Sequence, residues 1–354
     1  MPAHDQKAPQ DARILIAVAD NFRLPGFVNA HSHAFQRLLR GRTEGSDFWA
    51  WRESMLDLAR CQTPGRVRES YAWIYGEMRD AGYTAVGEFH YLGLAEAYAA
   101  AEAAEAAGVE IVLLHVAYAR GGVERFRQPT AAAYLRELEE LREAGIRVGV
   151  APHSVRACPR DWLEELGRYA DDQGLPLHVH ADEQPREIEE CLAEHGLRPI
   201  ELLAECGCLG PRTTIVHATH ADGRELDLVR QAGARICVCP TTGANLGDGL
   251  LPVERVLHRG IGMCIGSDSN VRVDPLEELR ELDGIARRQA GRRDVLTIDA
   301  LLSAGSDEGA ASLGLETWPP IEIDAAHPQL RGVDEPLCAL VHGCSADVVV
   351  SRAV

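Results

Sequence analysis

The strongest constraint on this chain is a repeat of pattern rather than of residues: eight short apolar runs, each ending in polar residues. They span 27–33, 84–91, 110–118, 147–154, 176–183, 213–219, 235–242 and 262–270. Helical signals stand between them at 94–107, 130–143, 159–172, 184–194 and 222–232. Strands buried on both faces read as near-continuous apolar runs, and alternation with helices calls for parallel pairing. Eight such units in series close most economically into an α/β fold, the (β/α)8 TIM barrel. Gly108, Gly145, Gly174 and Gly233 fall just after helical segments, where a left-handed residue ends a helix. Pro159 is predicted to open its helix at the first turn. After Leu313 the pattern changes to Pro319, Pro320 and short alternating stretches at 321–324, 337–342 and 346–350. The expected division is a barrel over 24–314, with 1–23 and 315–354 forming a small β appendage.

Charge and cysteine usage narrow the function. With 36 Lys and Arg against 54 Asp and Glu, the net charge is −18, which disfavours nucleic acid and anionic membranes, and neither is expected as a partner. A small molecule is the expected partner. In the first 20 residues the only apolar run is 14–18, too short for a signal or membrane segment, and a cytoplasmic address is expected. The ten cysteines include two C-x-C pairs and no C-x-x-C, which argues for reduced, structural thiols. Cys237, Cys239 and Cys264 lie inside apolar runs, where a free cysteine acts as a small hydrophobe.

In such barrels the chemistry comes from the C-terminal ends of the strands. His31 and His33 end the first run, His153 the fourth, His178, His180 and Glu183 the fifth, His217 the sixth and Asp268 the eighth. A strand period of two puts His31 and His33 on one face. A lone histidine there reads as a hydrogen-bonded core residue; His31, His33, His180 and Asp268 together read as ligands of one divalent ion. Three imidazoles and a carboxylate suit zinc, with iron or manganese also possible. Such an ion lowers the pKa of its water toward about 7. Glu183 is placed to move that water's proton. His217 would orient the nucleophile or stabilise charge at the reacting carbon.

Four motifs carry a family likeness: H-S-H at 31–33 after Pro25-Gly26-Phe27, H-V-H-A-D-E at 178–183, H-A-T-H at 217–220 and G-S-D-S at 266–269. Over about 24–313 the chain resembles the metal-dependent amidohydrolase superfamily, in its aminohydrolase (deaminase) branch. The resemblance implies one metal on His31, His33, His180 and Asp268. It also implies proton transfer by Glu183 and catalytic roles for His217 and Asp268. Finer features are H-S-H-A-F-Q at 31–36, F-W-A-W-R at 48–52, E-F-H-Y at 88–91, A-P-H-S-V-R-A at 151–157, H-A-D-E-Q at 180–184 and P-T-T-x-A-N-L-G-D-G at 240–249. These resemble the formimidoylglutamate deiminases of histidine degradation. That likeness implies that Gln36, Arg52, Tyr91 and Arg156 hold the glutamate part of a dicarboxylate amidine. Forked guanidinium donors suit such a substrate. The competing readings are a salt bridge for Arg156 and a packed aromatic segment under Arg52. His153 is read either as a substrate contact or as a support behind the ligands.

The implied reaction converts N-formimidoyl-L-glutamate and water to N-formyl-L-glutamate and ammonia. The family also implies a homodimer and a β-sandwich, here reduced. Position 243 is Gly where an acidic residue is expected, and Asn270 stands where His is expected. Two rival readings remain: an aminohydrolase of a cyclic amidine, and a truncated, non-catalytic binding partner. Ring substrates favour apolar and amide-bearing pockets over two arginines.

Overall fold

The structure, a computed structural model, describes residues 16–18 and 21–350. Its main sheet contains strands β3 (Phe27–Ser32), β4 (Tyr83–His90), β5 (Glu110–Ala117), β6 (Val148–Pro152), β7 (Leu177–Ala181), β8 (Thr213–His217), β9 (Arg235–Val238) and β10 (Met263–Ile265). Each lies beside its sequence neighbour and every pairing is parallel. The ring closes just beyond β10: His33 donates its backbone N–H to Asp268 O at 2.9 Å, and Asp268 donates to His31 O at 3.0 Å. Each of the eight strands coincides with one of the apolar runs. All residues of β3, β4, β6, β7 and β8 are buried, as a strand covered on both faces requires.

The expected helices are α3 (Leu94–Ala107), α4 (Ala131–Glu143), α5 (Arg160–Gln173), α6 (Pro185–His195) and α8 (Gly223–Ala232). Thr130 caps α4 by accepting from Ala133 N, and Asp222 caps α8 by accepting from Arg224 N and Glu225 N. Pro159 stands one position earlier than expected, as the residue before the first turn of α5. Further helices complete the shell: α1 (Phe48–Arg60) and α2 (Pro64–Asp80) between the first two barrel strands, α7 (Pro199–Glu205), α9 (Pro240–Leu246), α10 (Val253–Leu257), α11 (Pro275–Ala290), α12 (Ile298–Gly305) and α13 (Asp307–Ser312). α3 buries Ala97, Ala100 and Ala104, and this small-residue face lets it lie close to α2 and β5.

Outside the barrel, β1 (Ile16–Val18), β2 (Asn21–Pro25) and β11 (Pro320–Asp324) form an antiparallel sheet in the order β1-β2-β11. Leu24 pairs with Ile321 and Phe22 with Ile323, and all four are buried. Residues 1–15, 19–20 and 351–354, also assigned to the appendage, lie outside the described residues. The stretch expected to alternate at 337–342 is instead α14 (Pro336–Gly343). Its apolar residues Leu337, Leu340 and Val341 follow helical i, i+3, i+4 spacing, and Leu340 and Val341 are buried on a helix packed against α11 and α12. Among the described residues no helix is long and apolar enough to cross a membrane.

Candidate metal centre and substrate pocket

The backbone bonds that close the barrel also assemble its most unusual cluster. His31 and His33 project from the end of β3, and Asp268 is paired to them through the closing bonds. His180 arrives from β7. His31 Nε2 lies 3.2 Å from His33 Nε2 and 3.1 Å from His180 Nε2. Asp268 Oδ1 is 3.6 Å from His31 Nε2 and 3.3 Å from His33 Nε2. The ring tautomers are set from behind, because His33 Nδ1 donates to Phe89 O at 3.1 Å and His180 Nδ1 to His153 O at 2.9 Å. Both Nε2 atoms therefore point lone pairs into the cluster. Burial, reinforced by the neighbouring imidazoles, holds His31 and His33 well below the ordinary histidine range, and burial takes His180 to about 3. Burial and then Glu183 push the Asp268 carboxyl well above its usual range. Neutral donors around a carboxyl that resists ionisation form a set in which a bound dication would supply the missing charge.

Glu183 and His217 stand beside this cluster. His217 Nε2 is 3.7 Å from Glu183 Oε1 and 3.9 Å from Asp268 Oδ2, and burial lowers its imidazole to about 3. Asp182, His217, Ala218, Asp268 and Asn270 have φ between 44° and 74°, and all five follow or end β7, β8 or β10. Such backbone costs about 1–3 kcal/mol per residue and gathers at functional sites. At 270 the short amide side chain suits that conformation: Nδ2 donates to Ser32 Oγ at 3.1 Å and to Asp268 O at 2.9 Å. His178, two residues before His180, lies outside the cluster and donates to Ser312 O at 2.9 Å.

One pocket opens onto the cluster and is lined by His33, His180, Glu183, His217 and Asp268. Gln36, Arg52, Tyr91, His153 and Arg156 line the same pocket, so the structure brings together every residue expected to touch substrate. Gln36 Nε2 donates to Tyr91 Oη at 2.9 Å, while Gln36 Oε1 is buried without a partner. Arg156 approaches Glu183 Oε2 at 3.7 Å and Glu187 Oε1 at 3.6 Å, and its Nε makes no hydrogen bond. Burial works against the Arg156 charge, but Glu187 and Glu183 outweigh it and hold the pKa above the ordinary value. Both readings of His153 find a counterpart: its ring lines the pocket, and its carbonyl orients His180.

Sequence reasoning missed several lining residues. Tyr118 closes the apolar run that ends β5, and Arg120, Gly121 and Gly122 follow it, so position at a strand end was their available signal. Trp51 and Met55 come from α1, a helix without a predicted counterpart. Glu187 is buried beside Arg156 and accepts from Glu183 N at 3.2 Å; its signal was the spacing of four from Glu183.

The sequence pattern of the amidohydrolase family matches residues 22–317. The chain belongs to the amidohydrolase family. It is a hydrolase acting on C–N bonds. This amidohydrolase is 37% identical over 327 residues to a formimidoylglutamate deiminase of Pseudomonas aeruginosa, covering 82% of this chain and 72% of the relative. It is 30% identical over 302 residues to a 5-methylthioadenosine/S-adenosylhomocysteine deaminase of Natronomonas pharaonis, covering 83% and 69%. Among solved structures, an amidohydrolase from Brucella melitensis matches with a TM-score of 0.84 at 30% identity, covering 92% of this chain and 84% of that one.

Amidohydrolases bind a divalent metal, and the cluster fits one. Tetrahedral zinc with bonds of about 2.0–2.1 Å needs ligand atoms about 3.3 Å apart. Four of the six separations, 3.1, 3.2, 3.3 and 3.6 Å, lie near that edge, and all four ligand atoms lie within 4.8 Å of one another.

Proposed function

We propose that this amidohydrolase is a deaminase of an acyclic dicarboxylate amidine, converting N-formimidoyl-L-glutamate and water to N-formyl-L-glutamate and ammonia. The observation that carries the reading is that Arg52 and Arg156 line the same pocket as the His31, His33, His180 and Asp268 cluster. A glutamate carries two carboxylates, and an acidic protein must collect cations locally to hold them. The 37% identity to a formimidoylglutamate deiminase supports the same choice. Histidine degradation, a cytoplasmic address and a homodimer belong to this reading.

The four cluster residues would hold one divalent ion, zinc by donor set, with iron or manganese as alternatives. When bound, the ion supplies a water acidic enough to act as hydroxide near neutral pH. Glu183 takes the proton of the attacking water and delivers it to the departing nitrogen. His217, neutral between Glu183 and Asp268, orients the nucleophile and stabilises charge developing at the reacting carbon. Arg156 and Arg52 grip the carboxylates, and the Gln36–Tyr91 pair offers them further hydrogen bonds. His153 keeps His180 in register through its carbonyl.

A second reading has its own observation. Phe48, Trp51, Tyr91 and Tyr118 line the pocket, and aromatic faces of this kind stack on a purine. The Natronomonas pharaonis relative is named for such a substrate. Ammonia release from zinc-loaded protein, compared between N-formimidoyl-L-glutamate and a panel of ring amidines, decides between the two. The proposal expects the acyclic compound to be preferred by at least 100-fold in kcat/KM. Preference for a ring compound would reverse it.

A further inference from the structure

Cys239 follows β9, is buried, and takes no part in the centre described above. One ligand atom from each of Cys239, His217 and Asp268 lies within 4.8 Å of the other two. Asp268 turns its oxygens to different neighbours: Oδ1 faces His31 and His33, whereas Oδ2 faces His217 at 3.9 Å. A carboxylate divided in this way can bridge two cations about 3.5–4 Å apart. We propose that Cys239, His217 and Asp268 form a second cation site, selective for thiophilic divalent ions such as zinc or cadmium, whose occupation blocks the hydrolase. The proposal rests on the reading of His31, His33, His180 and Asp268 as the first centre.

The donor chemistry is specific. One sulfur, one imidazole nitrogen and one carboxylate oxygen suit tetrahedral zinc with a fourth position open. Sulfur disfavours magnesium and manganese. Binding exchanges the thiol proton for the metal, Cys–SH + M²⁺ giving Cys–S–M⁺ + H⁺, with the proton released to solvent. No oxidant or reductant is involved. The backbone holds these donors in place: His217 and Asp268 sit at φ 74° and 44°, and the Cys239 carbonyl is anchored by Gly243 N at 2.9 Å. Inhibition follows from position, because the second ion would occupy the His217 ring, whose Nε2 is 3.7 Å from Glu183 Oε1. The proposed proton carrier and its neighbour would both be withdrawn from the reaction.

Two exposed cysteines, Cys61 and Cys338, would bind soft ions on their own, so the test uses zinc-loaded protein carrying Cys61→Ser and Cys338→Ser. Cadmium is added while thiolate-to-cadmium absorption, zinc and cadmium per chain, and turnover are followed together. We expect zinc to stay at one per chain, one cadmium to bind with the absorption of a single thiolate, and turnover to fall at least tenfold in step. Adding Cys239→Ser, or Cys239→Ala if the serine variant does not fold, should abolish the absorption and the cadmium equivalent, with basal turnover retained. Cys264→Ser, altered within the same buried cluster, should keep all three signals. No cadmium bound at saturating concentration, or absorption that survives loss of Cys239, would overturn the site. Failure of the first centre looks different, since zinc content would then be zero before cadmium is added.

Discussion

Glu183 is set apart from the imidazoles around it by what it is asked to do. The histidines hold fixed protonation states: burial takes His180 and His217 to about 3, so both remain neutral across the working range. In the proposed reaction, proton traffic therefore falls to the carboxylate. Glu183→Gln keeps the shape and removes the base; it should retain one metal per chain while turnover falls by about 10²–10⁴-fold. Metal analysis and ammonia release on the same sample check this, and full activity would remove Glu183 from the proton path. Arg156→Met should act differently, raising KM for the dicarboxylate at least tenfold with a smaller change in kcat. Because Arg156 also faces Glu187, the variant is expected to lose stability, and a folded fraction measured by circular dichroism separates the two effects. At this scale the sequence was informative where chemistry restricts residue type, as with H-S-H at 31–33 and Asp268. It was silent where a contact depends on tertiary approach. Nothing in the string 240–249 announces that Asp248 Oδ2 would lie 3.8 Å from the position of a side chain at 243, or that burial would push its carboxyl to about 9.

The barrel strands were legible because burial on both faces leaves a signature in composition. α1 and α2 were not, since their apolar positions are interleaved with arginines and glutamates along half-exposed faces. The tail was misread for a related reason: in a run as short as 337–342, an i, i+3, i+4 pattern and an alternating one share most of their apolar positions. Closure of the barrel turns on Gly266, where a β-carbon would stand 2.8 Å from His31 O and 3.0 Å from Cys237 Sγ. Gly266→Ala should push β10 from β3, cost about 1–3 kcal/mol, and weaken metal binding with it. Urea unfolding and metal content check both parts. α9 offers a pH test. Glu278, on α11, accepts from Thr241 N at 3.0 Å and from the Thr241 hydroxyl, and burial raises its carboxyl from 4.5 to about 8. The folded chain thus holds a proton there that the unfolded chain has released above 4.5. Its stabilisation is complete below that pH and is lost as pH rises through about 8. Between pH 6 and 9 this amounts to about 2–3 kcal/mol. Glu278→Gln should flatten that part of the profile in denaturant titrations at the two pH values; an unchanged slope would show that Glu278 is ionised in the native state.

At the scale of the molecule, one set of contacts closes the barrel and assembles the proposed metal centre, so fold and ion should be thermodynamically linked. A ligand at 100 times its dissociation constant stabilises the native state by about 2.7 kcal/mol. Chelation should therefore lower the unfolding temperature by about 3–4 °C. His33→Ala should unfold near the chelated temperature whether or not zinc is present; a zinc-dependent shift in that variant would place the ion elsewhere. The net charge of −18 disfavours polyanions, whereas the proposed small dicarboxylate would meet Arg52 and Arg156 in the pocket. Family and barrel could be read in the sequence because four motifs occupy the ends of the first, fifth, sixth and eighth barrel strands, in that order. Substrate choice could not, because arginines and aromatics line one pocket and only their mutual placement distinguishes a carboxylate grip from a ring stack. The most direct test is therefore a competition: zinc-loaded protein is given equal concentrations of N-formimidoyl-L-glutamate and 5-methylthioadenosine, and both deaminated products are followed in the same tube. The account predicts that N-formyl-L-glutamate forms at least 100 times faster. Deamination of the nucleoside with the formimidoyl compound left intact would contradict it.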